Sequence, residues 1–239
     1  MGMPVIVEAA DEFAAPEDLE KVFSYFNYVD ETFSTYKPDS EISKINKGLI
    51  KPESAGKDTR EVFVLSEQTK QLTGGYFNIV TPQGSFDPSG LVKGWAIYNA
   101  AKILEGSQYK NFYVEAGGDI QTFGHNHEGK NWSVGIKNPF DQSQIVKVVY
   151  LFGQGIATSG TYIRGQHIYN PHKPGFAISD IASLTVIGPN VYEADRFATA
   201  AFAMGKQGIN FIESLQDLEG YMIDKDGIAT ITSGFGKFV

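Results

Sequence analysis

The character of the chain changes at Gly106, and that change bounds the fold more than any other feature. Before it, apolar residues recur at helical spacing. After it come short β-prone runs, NFYVEAGGDIQTFG, NWSVGIKNP, QIVKVVYLFG, GIATSG and IASLTVIG, separated by Gly, Asn and Pro. One strand-like run, MPVIVEA at 3–9, opens the helical half, and one helical run, VYEADRFATAAFAMGKQGINFIESL, interrupts the β-rich half. A hairpin, YMIDKDGIATITSGF with Asp226-Gly227 in its turn, closes the chain. The pattern reads as α+β, with strands and helices interleaved around one central cleft.

The helical half carries explicit start and stop signals. In APEDLEKVFSYFNYVDETFS, Pro16 stands near N1 and Glu17 and Asp18 occupy the first turn, while Leu19, Val22, Phe23, Phe26, Val29 and Phe33 mark a core face. The stretch KPDSEISKINKG predicts a short helix capped by Asp39 or Ser40 and ended at Gly48. Another helix is predicted over 58–73, closed by Gly74-Gly75. DPSGLVKGWAIYNAAKILEG reads as a loop feeding a helix that buries Ala96, Ile97, Ala100, Ala101 and Leu104. With no repeat and no linker, the 239 residues read as one domain over 1–239 with a sizeable core.

Composition excludes several classes. The net charge of −8 argues against a broad nucleic-acid face, which needs clustered Lys and Arg, but leaves room for a local basic pocket. The absence of cysteine removes disulfides, thiolate metal sites and a cysteine nucleophile. No run approaches the ~18 apolar residues of a membrane span. The start, MGMPVIVEAADEF, lacks the features of a signal peptide, so the chain as written reads as cytoplasmic, and as exported if a leader was removed.

Four clusters could carry chemistry, and each also has a plain structural reading. FDPSGLVKG at 86–94 places an aspartate, a flexible turn and Lys93 before a helix, which suits a phosphate or simply a capped helix start. It lacks P-loop spacing. VEAGGDI at 114–120 lets a ligand approach the backbone, or makes a hairpin turn. In GIATSGTYIRGQHIYNP, Thr158, Ser159 and Gly160 can offer hydroxyls and amides to a phosphate, and His167 is either a general base or a hydrogen-bonded core histidine. In EADRFATAAFAMG, Asp195 and Thr199 share a helix face as hard oxygen donors suited to Mg²⁺, or begin an Ala-rich buried helix. His125 and His127 could chelate at i, i+2, but read better as a polar loop tip.

In order along the chain, these clusters resemble the ApbE family of FAD:protein FMN transferases. The resemblance runs from MGMPVIVE through STYKPDSEISKIN, GGYFNIVTP, FDPSGLVKGWA, VEAGGDI and the W-S-V-G-I-x-N-P run to IATSGTY…HIYNP, ASLTVIG and ADRFATAAFAMG. It implies an ApbE-like, T-fold-related mixed α/β core, with a flavin-binding cleft between two intimate lobes. It implies a Mg²⁺-dependent enzyme that moves FMN from FAD to a Thr or Ser hydroxyl of a partner flavoprotein, with release of AMP. The acceptor would carry a D-x-x-[ST]-G-[AS]-T motif. The alternatives are an FAD pyrophosphatase and a non-catalytic FAD-binding protein, and an oligomer is left open.

By the same resemblance, Asp195, Thr199 and the backbone carbonyl of Val92 are the metal ligands. Ser34, Tyr36 and Ser40 belong to the flavin-side loop, with Asp87, Gly90 and Lys93 bordering the nucleotide. Glu115, Gly117, Gly118 and Asp119 line the adenosine half, and Thr158, Ser159 and Gly160 contact phosphates. His167 is the base, with Lys93 and Arg164 beside the reacting phosphate. The chain departs from the family pattern in four places. Only a few residues separate FNIVTP from FDPSG, where the family has several tens that help enclose the cleft. Val92 replaces alanine, Pro88-Ser89 replaces Leu-Gly, and PHKPG replaces P-[RK]-T-G.

Overall fold

The computed structural model describes residues 2–160, 168–173 and 175–239. Strand β1 (Val5–Ala9) is followed by helices α1 (Pro16–Phe33), α2 (Glu41–Asn46), α3 (Lys57–Leu72) and α4 (Ser89–Gly106). Strands β2 (Phe112–Ala116), β3 (Asp119–Phe123), β4 (Trp132–Asn138), β5 (Asp141–Leu151), β6 (Gly155–Gly160) and β7 (Ile181–Gly188) come next. Helices α5 (Val191–Ala203) and α6 (Gly208–Glu213) and strands β8 (Glu219–Asp224) and β9 (Ala229–Ile231) complete the order. The α+β expectation holds.

Among the described residues, seven strands pair antiparallel throughout in the order β1-β2-β3-β6-β7-β8-β9, and β4 and β5 form a separate ribbon. Side-chain alternation gives the large sheet two different faces. Val114 and Ala116 pack with α1 and α4, and Ala157, Leu184, Val186 and Met222 pack with α5 and α6. From the other face, Ile156, Ile187, Tyr221 and Ile223 meet Val134, Ile136, Val149 and Leu151 of the ribbon. The β2–β3 hairpin turns on Gly117 and Gly118, whose φ values of 61° and 93° are the positive pair that a primed two-residue turn requires.

The helices follow their signals. In α1, Val22, Phe26, Val29 and Phe33 are buried, while Phe23 is 36% exposed at the margin of that stripe. Ser40 caps α2 by accepting from the Ser43 amide. Helix α4 is buried nearly all round, as expected of a helix between a sheet and other helices. Two boundaries differ from the sequence reading. Helix α4 begins at Ser89, so Gly90, Val92 and Lys93 sit in its opening turns rather than in a loop. The helical run after 190 breaks at Gly205, where φ is 65° and a Cβ would lie 2.7 Å from the Asp180 carboxylate. That carboxylate accepts from the Lys206 amide and restarts the chain into α6.

Helices α4 and α5 touch along small residues. A Cβ on Gly90 would lie 3.0 Å from Thr199 Cγ2, and one on Gly94 would lie 2.6 Å from Asp195 Cβ and 2.8 Å from the Val191 carbonyl. Overpacking of that kind costs about 1–3 kcal/mol, against up to ~1 kcal/mol of helix propensity gained when Ala replaces Gly. The backbone carbonyl cannot give way as a flexible side-chain end can, so the steric cost wins. Gly94→Ala is expected to lower the urea unfolding midpoint. A midpoint equal to or above that of the wild type would show that the two helices are not held this close.

Candidate functional site

The opening turns of α4, the end of β6, the middle of α5 and the β2–β3 turn converge on one pocket of ≈ 110 Å³. Asp87, Gly90, Lys93, Gly117, Thr158, Ser159, Gly160, Asp195 and Thr199 line it, with Tyr76, Asn78, Thr81 and Tyr169 among the other walls. The pocket has room for several water-sized groups. A second hollow of ≈ 540 Å³ shares Asp87, Ser89 and Lys93 with it and is otherwise lined by Met3, Val29, Phe33, Ser34, Tyr36 and Val92. A long ligand would lie across both.

Lys93 stands between two buried carboxylates. Its Nζ lies 2.5 Å from Asp119 Oδ2 and 3.4 Å from Asp195 Oδ1. Asp119 is 1% exposed and Asp195 2%. Among the described residues the ammonium is the one partner of Asp119 Oδ2. The other oxygens take backbone amides: Thr158 N–H donates to Asp119 Oδ1 at 3.0 Å, and Gly94 N–H donates to Asp195 Oδ2 at 2.7 Å. Burial pushes the Asp195 carboxyl up to about 7. Lys93 pulls it down, Asp119 pushes it further up, and the Gly94 amide pulls it down.

The donor set fits a hard cation. Thr199 follows Asp195 by one helical turn, and its Oγ1 lies 3.5 Å from Ser159 Oγ. Thr158 turns to the other side of β6, where its hydroxyl pairs with that of Thr185 at 2.8 Å. Among the described residues no three His, Cys, Asp or Glu side chains gather as a metal site. A cation held by Asp195, Thr199 and a backbone carbonyl would have one carboxylate, one hydroxyl and one peptide oxygen as donors, a set that suits Mg²⁺, an ion that keeps waters and shares substrate phosphates. The Val92 side chain is buried, so this residue could serve a metal only through its carbonyl.

The expected site residues separate into groups. Asp87, Gly90, Lys93, Gly117, Asp119, Ser159, Gly160, Asp195 and Thr199 come together, whereas the Thr158 hydroxyl, expected at the phosphates, faces the other side of the sheet and only its backbone reaches the site. Ser34 and Tyr36 line the neighbouring hollow, where Tyr36 is 95% exposed. Ser40 is 1% exposed and occupied as the cap of α2, its hydroxyl donating to the Ser34 carbonyl. Glu115 lies on the opposite face of the sheet, with Gly118 and Lys137 around a separate hollow, because its neighbours Val114 and Ala116 face α4. His167 and Arg164 lie outside the described residues. His125 packs on Phe152 and His127 reaches Glu8, so the two rings diverge.

Sequence reasoning missed how Asp119 works. It was expected beside the adenosine half, yet its carboxylate reaches Lys93 and β6. It also missed the wall made by Ile168, Tyr169 and Pro171, behind which His172 ties the segment down. Tyr169 Oη donates to the Val80 carbonyl at 3.2 Å, and His172 Nε2 lies 2.9 Å from the Gly74 carbonyl. The Tyr-Asn-Pro run held the only local signal.

A family model described as the ApbE family matches residues 1–83 and 80–222. The two stretches meet where the sequence is short of residues, at a tight turn in which the Ser85 carbonyl accepts from Thr81 N–H and Val80 bridges to Phe86. The chain is 32% identical over 150 residues to the FAD:protein FMN transferase of Klebsiella pneumoniae (strain 342), covering 59% of this chain and 43% of that protein. It is 30% identical over 168 residues to the protein of the same name from Haemophilus influenzae, covering 66% and 48%. The chain thus spans about half the length of the curated relatives it matches. Among solved structures, the flavin transferase ApbE from Vibrio cholerae superposes with a TM-score of 0.87 at 23% identity, over 100% of this chain and 96% of that one. The ApbE protein from Thermotoga maritima gives 0.85 at 21%, over 99% and 96%. These structures share the fold.

The raised Asp195 carboxyl has a thermodynamic signature. Between its ordinary value of 3.8 and about 7, the folded protein holds a proton that the unfolded chain has released. Stability therefore falls as pH rises through that window and levels off above it. Asp195→Asn has no carboxyl to titrate. In metal-free buffer, the stability of the wild type minus that of Asp195→Asn is expected to decline from pH 4 to pH 7, measured by urea unfolding. A flat or rising difference would refute a raised carboxyl.

Proposed function

The chain belongs to the ApbE family, and on that premise we propose that it moves FMN from FAD to a Thr or Ser hydroxyl of a partner flavoprotein, releasing AMP. One observation carries the reading: Lys93, Asp195, Thr199 and Ser159 gather at one small pocket that opens beside the hollow of Tyr36. In this reading the pyrophosphate sits at the pocket and the flavin ring in the hollow.

The chemistry divides among residues of this chain. Asp195, Thr199 and the Val92 carbonyl would hold Mg²⁺, which when bound would neutralise the pyrophosphate and the departing phosphate. Lys93 supplies a fixed positive charge to the same phosphates. Ser159 and the β6 end orient them. The acceptor hydroxyl oxygen bonds to the phosphorus of the FMN half, and the bond from that phosphorus to the bridging oxygen breaks. AMP leaves with that oxygen, and the hydroxyl proton passes to a base. His167 fills the role of base in this reading, with Arg164 sharing the charge of the phosphates.

A second reading is FAD hydrolysis to FMN and AMP, with water in place of the acceptor. The 95% exposure of Tyr36 favours it, because it leaves that wall of the flavin-side hollow open to water.

Incubation with FAD, Mg²⁺ and a flavodomain bearing D-x-x-[ST]-G-[AS]-T separates the readings. Covalent fluorescent flavin on the acceptor is the expected result. FMN and AMP without a labelled acceptor would establish the hydrolase instead, and tight FAD binding without AMP would leave a carrier. Asp195→Ala should abolish Mg²⁺-dependent turnover with circular dichroism unchanged. His167→Ala should slow transfer by roughly 10²–10⁴-fold, the usual worth of a positioned base; full activity in either variant would remove that residue from the machinery.

A further inference from the structure

The contact between the β2–β3 turn and α4 has a charge pattern that the proposed reaction alone does not explain. Two buried carboxylates face one ammonium, and the ammonium sits closer to the one not read as a metal ligand: 2.5 Å from Asp119 against 3.4 Å from Asp195. We propose that Asp119 is a positioning residue that anchors Lys93 so that Asp195 stays available to a divalent cation. The proposal rests on the metal reading of Asp195 given above.

The effect is electrostatic. A lysine beside a lone buried carboxylate would pair with it, and an incoming cation would have to displace the ammonium. A second carboxylate removes that competition. Asp119 meets the requirements of an anchor. It is rigidly placed, since it begins β3 directly after the Gly117-Gly118 turn and its Oδ1 is fixed by Thr158 N–H. It is dry, at 1% exposure, so its attraction for Lys93 is little screened. With all three groups ionised the cluster carries one net negative charge, and a divalent cation would bring it to one net positive charge facing the phosphates. The amide bond to Thr158 also ties the anchor to Ser159, so Lys93 and the β6 hydroxyl share one frame.

The test is Mg²⁺ binding followed by calorimetry, with no substrate, on the wild type, Asp119→Asn, Lys93→Met and the double variant. Asparagine keeps an oxygen for Thr158 N–H and replaces Oδ2, the oxygen that faces Lys93, with an uncharged NH₂ that cannot accept from the ammonium. Asp119→Asn is expected to weaken Mg²⁺ binding about tenfold or more, while in the Lys93→Met background the same change should alter it by less than about threefold. An equal loss in both backgrounds would mean that Asp119 acts as bulk negative charge, and would overturn the proposal. So would no loss in either.

The same four proteins unfolded by urea in EDTA test the anchor without metal. The double variant should lose less than the two single losses combined, by about tenfold in the unfolding constant. Additive losses would overturn the anchoring. A wild type that binds no Mg²⁺ would instead refute the metal reading of Asp195, and the EDTA measurement would then judge the Asp119–Lys93 contact alone.

Discussion

Gly94 N–H donates to the Asp195 carboxylate across the α4–α5 contact, and the site depends on that approach. Only the lack of a side chain at Gly94 lets the helices come so near. The same approach sets Gly90 against Thr199, so Asp195 and Thr199 are delivered together to the opening turns of α4, and Lys93 is delivered with them. Helix α5 is held in turn by β6 and β7 through Ala157, Leu184 and Val186, which places Ser159 beside Thr199. One glycine contact thus joins the helical half of the chain to the β-rich half at the place where the chemistry would occur.

The charged and hydroxyl groups gather in the small pocket, where Asp87, Lys93, Ser159, Asp195 and Thr199 share the walls with Tyr76, Phe77 and Ile168. The larger hollow beside it is walled by Val29, Phe33, Val92 and Tyr36. A ligand with a charged middle and a flat apolar end matches that division, because desolvating the charge is tolerable only where fixed partners replace water. The carboxyl of Asp195, held near neutrality in pH, shows how strongly burial acts in the small pocket.

Much of the fold was legible because it is written in local patterns. The apolar spacing of Val22, Phe26, Val29 and Phe33, the Ser40 cap and the Gly117-Gly118 turn each sit within a few residues of what they determine. The candidate site is less local. Gly94 and Asp195 are 101 residues apart, and Asp119 and Thr158 are 39 apart, so no spacing in the chain announces either contact. Family resemblance gathered most of the pocket residues but not their partners, and it grouped Glu115 with Asp119. Strand alternation could have separated those two: with Val114 and Ala116 on the helix side, Glu115 must face away. The break at Gly205 was hidden too, since it answers to Asp180, a residue from a distant loop.

The position of β1 at the edge of the sheet carries a consequence for the order of assembly. Val5 pairs with Ala116 and Ala9 with Phe112, so β1 has no partner in this sheet until the hairpin that follows α4 has been made. Through that interval α1, α3 and α4 carry apolar faces with no sheet to cover them. Pairings this distant in sequence are the slow kind, since the loop must close before the contact repays it. Until the hairpin is made, the helical part of a growing chain stands without the sheet that covers it. The β2–β3 hairpin is the piece whose arrival ends that stage, and it is also the piece that brings Asp119 to Lys93.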